Sequence, residues 1–375
     1  MILFFTYRVS LRMWVDQGIA ERETEVYRRL LPRLGRVAFV TYGAGDAALE
    51  PALRGIRVLP RPARLGMAAM SLLAPWLYRR EMRAASVLKT NQASGAWTAV
   101  VAKWLFRKPL IVRCGYPWSF NYSRQSPRWW RRGLVRLLER LAVRAADRVV
   151  VTSAAAGEYL VREHGIAAAR VRVVPNAIDV ARFTPDPAAV RDKGCVIFVG
   201  RLAPEKNLRA LVEAVARVPG AHLRLVGEGP ERAALEEAAR RAGAAVEFMG
   251  TVNNDAVPGL LNTATLFALP SHYEGQPKAL LEAMACGLPV VGADVAGIRE
   301  AVRHGETGWL CAPEAESLAR ALRVLLDDGA LRERLGRQAR AAIEREHALE
   351  AVVQRELAVI REVVAHHRPP HHRHQ

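Results

Sequence analysis

The chain has 375 residues, of which 51% are hydrophobic and 25% charged. This length favours two domains of about 100–200 residues each, and the ordinary composition excludes wholesale disorder, collagen-like repeats and a membrane helix bundle. The net charge of +18 is unevenly placed, because residues 1–190 contain 31 Lys or Arg against 13 Asp or Glu, whereas residues 191–375 contain 24 of each. We therefore expect the first half to attract anions and the second half to have a different task.

Short apolar runs recur through the first half, separated by arginine-rich segments that are typical of helices. The predicted strands of this half cover residues 2–6, 37–41, 87–88, 110–112, 149–151 and 171–174. The segment 183–193 contains Pro185 and Pro187 and is the predicted linker. The sequence thus predicts a basic, doubly wound α/β domain over residues 1–188.

Residues 126–148 form the most unusual segment of this half. At helical spacing, one face of this segment carries arginines and another carries apolar side chains. The arginines are Arg132, Arg136, Arg140, Arg144 and Arg148. The apolar residues are Trp130, Leu134, Leu137, Leu138, Leu141 and Ala145. Like charges at this spacing repel, and only Glu139 lies within the run to relieve them. We expect the apolar face to be core, and we hypothesise that the arginine stripe, with Trp129 at its start, docks on an anionic membrane face.

The second half alternates apolar runs with amphipathic stretches, which favours a parallel sheet covered on both faces. The predicted strands cover residues 196–199, 223–226, 246–249, 265–269, 289–291 and 309–311. Asn207 is the predicted N-cap of the first helix. The second domain is assigned to residues 189–348, and residues 349–375 to a helix that returns toward the first domain and a frayed histidine-rich tail.

The four cysteines lack a C-x-x-C pair, so we expect them to be small core residues in a reducing cytosol. Neither a signal peptide nor a transmembrane helix is predicted. The expected location is therefore cytoplasmic, with a peripheral position on the inner face of the membrane as a further hypothesis.

The first candidate site is the segment 200–207, GRLAPEKN, directly after a predicted strand. Gly200 lets a ligand approach the backbone, while Arg201 and Lys206 supply a planar fork of donors and a point charge for a diphosphate. The helix that follows directs its free N–H groups toward the same spot. The alternative is a solvated loop whose cations pair with Glu205.

The second candidate site is the segment 271–287, which also follows a predicted strand. Pro277 is a natural first helical residue, which places Glu274 in the loop and Glu282 inside the helix. A loop carboxylate can accept hydrogen bonds from sugar hydroxyls, and a helical carboxylate can accept both hydroxyls of a ribose. The alternatives are a capping acid and an exposed helical glutamate, although Glu282 lies in an otherwise uncharged stretch where a charge should be paired or used. Glycoside hydrolysis by the two acids is disfavoured by their placement.

The segment 195–311 resembles the nucleotide-binding half of retaining glycosyltransferases of family 4, which have the GT-B fold. The ordered matches are FVGRL at 198–202, EKN at 205–207, LVGEGP at 225–230, LPS at 269–271, Glu274-Gly275 through EAMA at 282–285, GLPVV at 287–291 and GETG at 305–308. In the first half the resemblance is thinner, mainly at 147–153 and 174–179. The resemblance implies two Rossmann-like domains that face a central cleft.

The resemblance also implies roles for individual residues. Arg201 and Lys206 would neutralise the leaving diphosphate, Glu274 would hold the donor sugar and Glu282 the ribose. The remaining donor-binding positions would be Gly200, the backbone around Gly275, Gln276 and Pro277, and Val252 against the base. With these groups supplied by the protein, and without an Asp-x-Asp motif, we expect no metal and no cofactor besides the nucleotide-sugar.

Three departures from the family pattern matter. Many members have Gly-Phe-Gly after the first glutamate, whereas this chain has GQPK at 275–278, and we expect Gln276 and Lys278 to alter the choice of donor sugar. Residues 112–118 lack the histidine that many members place near the reacting carbon, so no general base is assigned. The first loop lacks a Gly-Gly pair, and Gly18 is the nearest candidate to close over the phosphates.

The sequence therefore predicts a retaining, metal-independent hexosyltransferase of cell-surface polysaccharide or glycolipid synthesis. Its donor would carry UDP rather than GDP, and its acceptor would be a glycan or a lipid-linked molecule. The alternative enzyme is a nucleotide-sugar epimerase or hydrolase of the same fold. A non-enzymic, basic nucleic-acid-binding protein is the third and least favoured alternative. Nucleic acid is not an expected partner, because no binding motif accompanies the basic charge.

Overall fold

The computed structural model describes residues 1–125 and 128–367, which fall into two compact α/β units. Unit 1 comprises Met1–Pro175 together with the chain from Val352 onward, and unit 2 comprises Asn176–Ala351. Residues 176–188, assigned to the first domain by sequence, thus belong to unit 2. The predicted frayed tail at 369–375 lies outside the described residues.

Unit 1 is built on a seven-stranded parallel sheet in the order β3-β2-β1-β4-β5-β6-β7. The strands are β1 (Ile2–Phe4), β2 (Ala38–Val40), β3 (Arg57–Leu59), β4 (Leu88–Thr90), β5 (Leu110–Cys114), β6 (Arg148–Val151) and β7 (Val171–Val173). Sequence periodicity predicts all of them except β3, whose apolar content is only Val58 and Leu59.

Helices cover the sheet of unit 1. They are α1 (Leu11–Asp16), α2 (Ala20–Leu34), α3 (Met67–Leu77), α4 (Arg79–Ala84), α5 (Ala96–Phe106), α6 (Trp118–Gln125), α7 (Trp129–Ala145), α8 (Ala154–His164) and α16 (Leu349–His367). Helix α16 is fixed to unit 1 by a fully buried ion pair, in which Lys89 Nζ of β4 lies 2.5 Å from Glu356 Oε1. Glu362 on the same helix accepts hydrogen bonds from Arg148 and Arg172.

Helix α7 contradicts the predicted orientation of its apolar face. The residues that it buries are Val135, Glu139, Ala142 and Val143. The predicted core positions instead stand in the open, with exposed fractions of 50% for Trp130, 48% for Leu134, 51% for Leu137 and 56% for Leu141. The arginine stripe also ends at Arg144, because Arg148 belongs to β6.

Unit 2 is built on a six-stranded parallel sheet in the order β10-β9-β8-β11-β12-β13. The strands are β8 (Cys195–Val199), β9 (His222–Val226), β10 (Val246–Gly250), β11 (Leu266–Leu269), β12 (Val290–Ala293) and β13 (Trp309–Cys311). The direction of strand order reverses between β8 and β11, which pair at Val196 with Leu266 and at Ile197 with Phe267. In doubly wound sheets, ligands bind beyond the carboxyl ends of the strands at such a reversal.

The helices of unit 2 pack their apolar sides on this sheet and form one continuous core with it. They are α9 (Leu208–Ala216), α10 (Arg232–Ala242), α11 (Val257–Thr263), α12 (Lys278–Ala285), α13 (Ala296–Arg299), α14 (Ala315–Asp327) and α15 (Gly329–Glu346). The cysteines are predicted to be core thiols. Cys195 and Cys286 are buried in this core, and all four cysteines of the chain are free. Across residues 1–125 and 128–367, the helices are too short or too polar for a membrane crossing.

Candidate functional site

The turn after β8 places the first predicted residues at the reversal of the sheet. Gly200 has φ of 154°, a conformation that side chains with a Cβ rarely adopt. A 3-10 turn over Pro204–Lys206 follows and leads into α9. Asn207 occupies the N-cap position of α9, as predicted, but its side chain makes no capping hydrogen bond to the helix. Its Nδ2 donates to the carbonyl oxygens of Pro270 and Pro313 and so ties this turn to two others.

The two cations of this turn have different partners. Arg201 Nη2 lies 2.5 Å from Glu205 Oε1, and the arginine side chain is 64% exposed. This contact matches the alternative in which a loop cation pairs with Glu205. Lys206 instead reaches across to the loop after β11, where its Nζ lies 2.6 Å from Glu274 Oε1.

The loop after β11 holds Glu274 in a fixed position. The hydroxyl of Ser271, a fully buried residue, donates to Glu274 Oε1 over 2.7 Å. The same oxygen accepts the hydrogen bond from Lys206, so both contacts orient one edge of the carboxylate. The backbone N–H of His272 donates to the carbonyl of Glu205 and joins the two loops a second time. The structure therefore brings Lys206 and Glu274 together, although the sequence separates them widely.

Helix α12 carries Glu282 into the interior of unit 2. The residue is 1% exposed, which contradicts an exposed helical glutamate and agrees with the prediction that this charge is paired or used. Its neighbour one turn on, Cys286, is buried as well, and burial together with the charge of Glu282 raises the pKa of the thiol to about 12. Pro277 is the N-cap of α12 and Lys278 its first residue, one position later than predicted.

Gln276 is held by a residue from the start of unit 2. Its side-chain oxygen accepts a hydrogen bond from the backbone N–H of Asn176 at 2.5 Å, and its carbonyl accepts one from Asn176 Nδ2 at 2.8 Å. The carbonyl of Asn176 in turn contacts His347 Nδ1 at 3.1 Å. No role is predicted for Asn176 from the sequence, although the motif at 174–179 that contains it is among the family matches.

Gly297 in α13 is a second residue that sequence analysis misses. A Cβ at this position would lie 2.2 Å from the carbonyl oxygens of both Glu274 and Gly275. Only glycine allows α13 to approach the Glu274 loop this closely. The backbone of the loop is therefore shaped by packing as well as by the ion pair.

Two predicted donor-binding residues come from other segments of the chain. Val252 follows β10 and packs partly buried against the core of unit 2. Gly18 lies in unit 1, between α1 and α2, with φ of 67° and its N–H donating to the carbonyl of Val15. Their roles toward a nucleotide stay predictions.

The connection after β5, where the sequence lacks a histidine, is supported by a buried charged network in unit 1. Glu139 accepts hydrogen bonds from the backbone N–H of Trp118 at 2.5 Å and of Ser119 at 3.2 Å, and His164 Nε2 lies 2.9 Å away. Burial alone would raise the pKa of Glu139, but the hydrogen bonds from His164, Ser119 and Trp118 outweigh it and lower the pKa. Glu139 thus anchors α6 rather than relieving the arginine stripe.

Among the described residues, one group has the spacing of metal ligands: Asp192, Cys195 and His222. His222 Nε2 lies 2.9 Å from Asp192 Oδ2, and Arg224 Nη2 lies 3.3 Å from the same oxygen. Burial raises the pKa of the Cys195 thiol to about 11. The group lies at the start of β8, whereas Gly200 follows the end of that strand. We therefore interpret it as an ion-paired cluster.

The site of unit 2 combines groups that suit a phosphorylated sugar. An ammonium has three N–H donors, so Lys206 can bind Glu274 and a phosphate oxygen at the same time. The first turn of α12 adds backbone N–H groups and the positive end of a helix dipole. The carboxylate of Glu274 lies beside Lys206, and that of Glu282 is buried inside α12.

Two family models match adjoining parts of the chain. The model described as "Glycosyltransferase Family 4" matches residues 18–182. The model described as "Glycosyl transferases group 1" matches residues 181–342. Together they span both α/β units.

Curated relatives match mainly over about half of the chain. A glycogen synthase of Mycobacterium tuberculosis is 36% identical over 217 residues, which is 55% of this chain and 52% of the relative. The chain spans about half the length of the curated relatives that it matches.

Solved structures share the fold along nearly the whole chain. The structure of HepE from Anabaena in complex with UDP has a TM-score of 0.80 at 21% identity and covers 96% of this chain and 99% of its own. Sucrose-phosphate synthase from Thermosynechococcus elongatus has a TM-score of 0.78 at 22% identity, with coverage of 97% and 99%. The fold of this chain is therefore that of the GT-B enzymes, as predicted.

Proposed function

We propose that this chain, which belongs to the group 1 glycosyltransferases of family 4, transfers a hexosyl unit from a nucleotide-diphosphate sugar with retention of the anomeric configuration. The observation that carries the proposal is the contact between Lys206 and Glu274 at the reversal of the unit 2 sheet, with Glu282 buried in the helix that follows. In this proposal Glu274 binds the sugar, Lys206 the diphosphate and Glu282 the ribose of the donor.

In this proposal the departing diphosphate gains negative charge as the glycosidic bond breaks. Lys206, Arg201 and the N–H groups at the start of α12 stabilise that charge more in the transition state than in the bound donor. For Arg201 this requires exchange of its partner Glu205 for a phosphate, which the high exposure of the side chain permits. Because the protein supplies these positive groups, we propose that transfer is independent of a divalent metal, and EDTA should leave the rate unchanged.

Glu274 and Glu282 divide the remaining recognition. We propose that Glu274 accepts hydrogen bonds from donor-sugar hydroxyls, since Ser271 and Lys206 orient its carboxylate from one edge. Glu282 accepts those of the ribose, and Val252 lies against the base. UDP is the proposed nucleotide. Support comes from the fold neighbour HepE, which is described in complex with UDP and with UDP-glucose.

The proposed acceptor is a glycan or a lipid-linked molecule in cell-surface polysaccharide or glycolipid synthesis. The proposed location is cytoplasmic, at the inner face of the membrane. The concentration of the net positive charge in residues 1–190 supports this location, because anionic lipids attract such a surface.

Calorimetric titration with UDP, GDP and their sugars tests the donor. We expect UDP and at least one UDP-sugar to bind, and Glu282→Ala to weaken UDP binding about tenfold or more, since it removes a charged hydrogen-bond acceptor. The matched control is Glu333→Ala, whose side chain is 76% exposed on α15. Equal binding of UDP by both variants would remove the role of Glu282.

Product analysis separates the proposed transferase from an epimerase or hydrolase. Incubation with a UDP-sugar and no acceptor should leave most of the donor intact, and addition of an acceptor extract should release UDP. Rapid conversion to another UDP-sugar, or to free sugar, would favour the alternative enzyme. Filter binding at physiological salt tests for nucleic acid, which we expect not to be retained.

A further inference from the structure

Helix α3 of unit 1 is uncharged along its whole length, yet half of it faces outward. Met70 and Ala74 are buried against the unit. On the other side the exposed fractions are 60% for Leu72, 43% for Leu73, 49% for Trp76 and 44% for Leu77. A helix of eleven residues is too short to span a bilayer. Its outer side is therefore an apolar surface and not a crossing segment.

Two further helices extend this surface. Helix α5 contacts both α3 and α7, so the three helices lie side by side with α5 in the middle. At the end of α5, Trp104 is 71% exposed and Leu105 45%. Helix α7 adds the stripe of Trp130, Leu134, Leu137 and Leu141, which recurs at helical spacing on the side opposite its buried residues, with Trp129 at 82% exposure before it.

The two units differ sharply in exposed apolar side chains. Among the described residues, seventeen large hydrophobic side chains are exposed, and fifteen of them lie in unit 1. Twelve of those fifteen lie on α3, α5 and α7, including four tryptophans. Scattered exposure is normal in proteins, but concentration on three adjacent helices marks an interaction surface. We call these twelve side chains the apolar layer.

The charges around the apolar layer are mainly positive, although Arg136 on α7 pairs with Glu163. From residue 64 to residue 146 the sequence contains sixteen Lys or Arg and two acids, Glu81 and Glu139. Glu139 is fully buried, so it adds no negative charge to the surface. Exposed arginines stand at both ends of α3, at Arg64 and Arg79, and along α7, at Arg131 and Arg140. Arg131 stacks over Trp130 at 5.1 Å from the ring centroid.

We propose that the apolar layer inserts into the headgroup region of an anionic phospholipid bilayer, with the surrounding arginines bound to lipid phosphates. This inference rests on the proposed membrane location and names the surface that binds the membrane. It differs from the sequence-based hypothesis, because the apolar side of α7, and not its arginine stripe alone, meets the lipid. Tryptophan and leucine with flanking arginine are the composition of helices that lie in a membrane interface.

A bilayer fits this surface better than a second copy of the chain does. In a symmetric dimer the same patch faces itself, and its arginines would then meet arginines. Anionic lipids instead supply the opposite charge, at about 1 kcal/mol for each basic residue near the surface. A partner bound by charge alone is also disfavoured, since it would leave the apolar side chains in water.

The test is flotation of the full chain with vesicles of phosphatidylcholine alone or mixed in equal parts with phosphatidylglycerol. We expect flotation with the anionic vesicles, and weaker binding at high salt. The double variant Leu137→Ser/Leu141→Ser should lower the partition coefficient by about fivefold or more for each leucine. The matched control is Val190→Ser/Val324→Ser, which changes two exposed apolar residues of unit 2. The variant Arg140→Glu on α7 tests the arginines, and Arg337→Glu on α15 of unit 2 is its matched control.

Each outcome has a defined meaning. Brominated lipids should quench tryptophan fluorescence, and the quenching should be smaller in Trp104→Phe. This result supports insertion, and because Trp104 is exposed its substitution should not disturb folding. Flotation that the leucine and arginine variants leave unchanged would overturn this surface, while the membrane location stands. Absence of flotation, or a dimer in light scattering that the leucine variant dissociates, would overturn both. UDP binding by the same samples is measured in parallel, so failure of the membrane proposal is distinguishable from failure of the proposed reaction.

Discussion

The two units share a strand order but use the reversal point of the sheet differently. In unit 2 the connections after β8 and β11 carry Lys206 and Glu274 in contact. In unit 1 the equivalent connections, after β1 and β4, are joined by a backbone hydrogen bond from Tyr7 N–H to the carbonyl of Ser94 over 3.3 Å. The same topology thus offers an edge in both units, and the residues at that edge decide which one can bind a charged ligand.

The Lys–Glu ion pairs of the two units differ in how exposed they are. Unit 1 pairs Lys89 with Glu356 in its interior and uses the pair to fix α16. Unit 2 places its paired charges partly exposed, with side-chain fractions of 20% for Lys206 and 10% for Glu274. An ion pair that a ligand can reach can contribute to binding or catalysis, whereas a fully buried pair contributes to stability. Four experiments separate these two kinds of contribution.

The largest expected effect is on the sealed pair of unit 1. Glu356→Ala should lower the free energy of unfolding by about 3–5 kcal/mol, because it leaves Lys89 charged and buried without its partner. The double variant Lys89→Met/Glu356→Leu should recover most of that loss. Urea unfolding followed by circular dichroism measures both. A single variant as stable as the wild type would show that the pair does not hold α16.

The accessible pair of unit 2 should affect turnover more than stability. Lys206→Ala is expected to reduce kcat by about 10²–10³-fold with a smaller change in KM for the donor, since the charge it stabilises develops in the transition state. Arg209→Ala on α9, whose side chain is 70% exposed, is the control. Initial rates of UDP release measure the effect. A rise in KM with kcat unchanged would assign Lys206 to ground-state binding instead.

The third experiment asks whether packing shapes the site loop. Gly297→Ala forces a Cβ against the carbonyls of Glu274 and Gly275, so it should cost about 1–3 kcal/mol of stability and weaken donor binding as well. Gly259→Ala in α11 meets no atom within 4 Å and should be neutral or slightly stabilising. Calorimetric unfolding and UDP titration of the two variants give the comparison. Equal donor affinity of the two variants would show that the packing of α13 does not shape the Glu274 loop.

The site was more predictable from sequence than its surroundings. Gly200, Lys206 and Glu274 follow long apolar strands, so chain order alone places them at one edge of a sheet. The supporting contacts from Ser271, Asn176 and Gly297 depend on tertiary packing, which periodicity does not encode. For Ser271 and Asn176 the one available signal is their membership of family motifs.

Helix α7 shows a different limit of sequence analysis. Periodicity identifies an apolar and a basic side, but it does not say which side lies on the sheet. The structure buries Val135, Ala142 and Val143, with Glu139 satisfied by its own partners, and leaves the larger apolar side chains outside. A buried acid in a basic helix is invisible to a pattern that assigns every charge to solvent. The same limit explains why the apolar layer emerges only from the structure.

The smallest expected effect concerns the outer anchor of α16. Hydrogen bonds from Arg148 and Arg172 lower the pKa of Glu362 to about 2, against about 4.3 in an unfolded chain. A carboxyl group whose pKa is lower in the folded protein stabilises it above the unfolded pKa, and this contribution disappears as the pH falls from about 5 to about 2. Because the side chain is 25% exposed and screened by solvent, we expect only about 1 kcal/mol. Thermal unfolding of wild type and Glu362→Gln should therefore differ at pH 7 and converge near pH 2. A difference that persists unchanged at pH 2 would mean that packing of α16, and not the charge of Glu362, accounts for it.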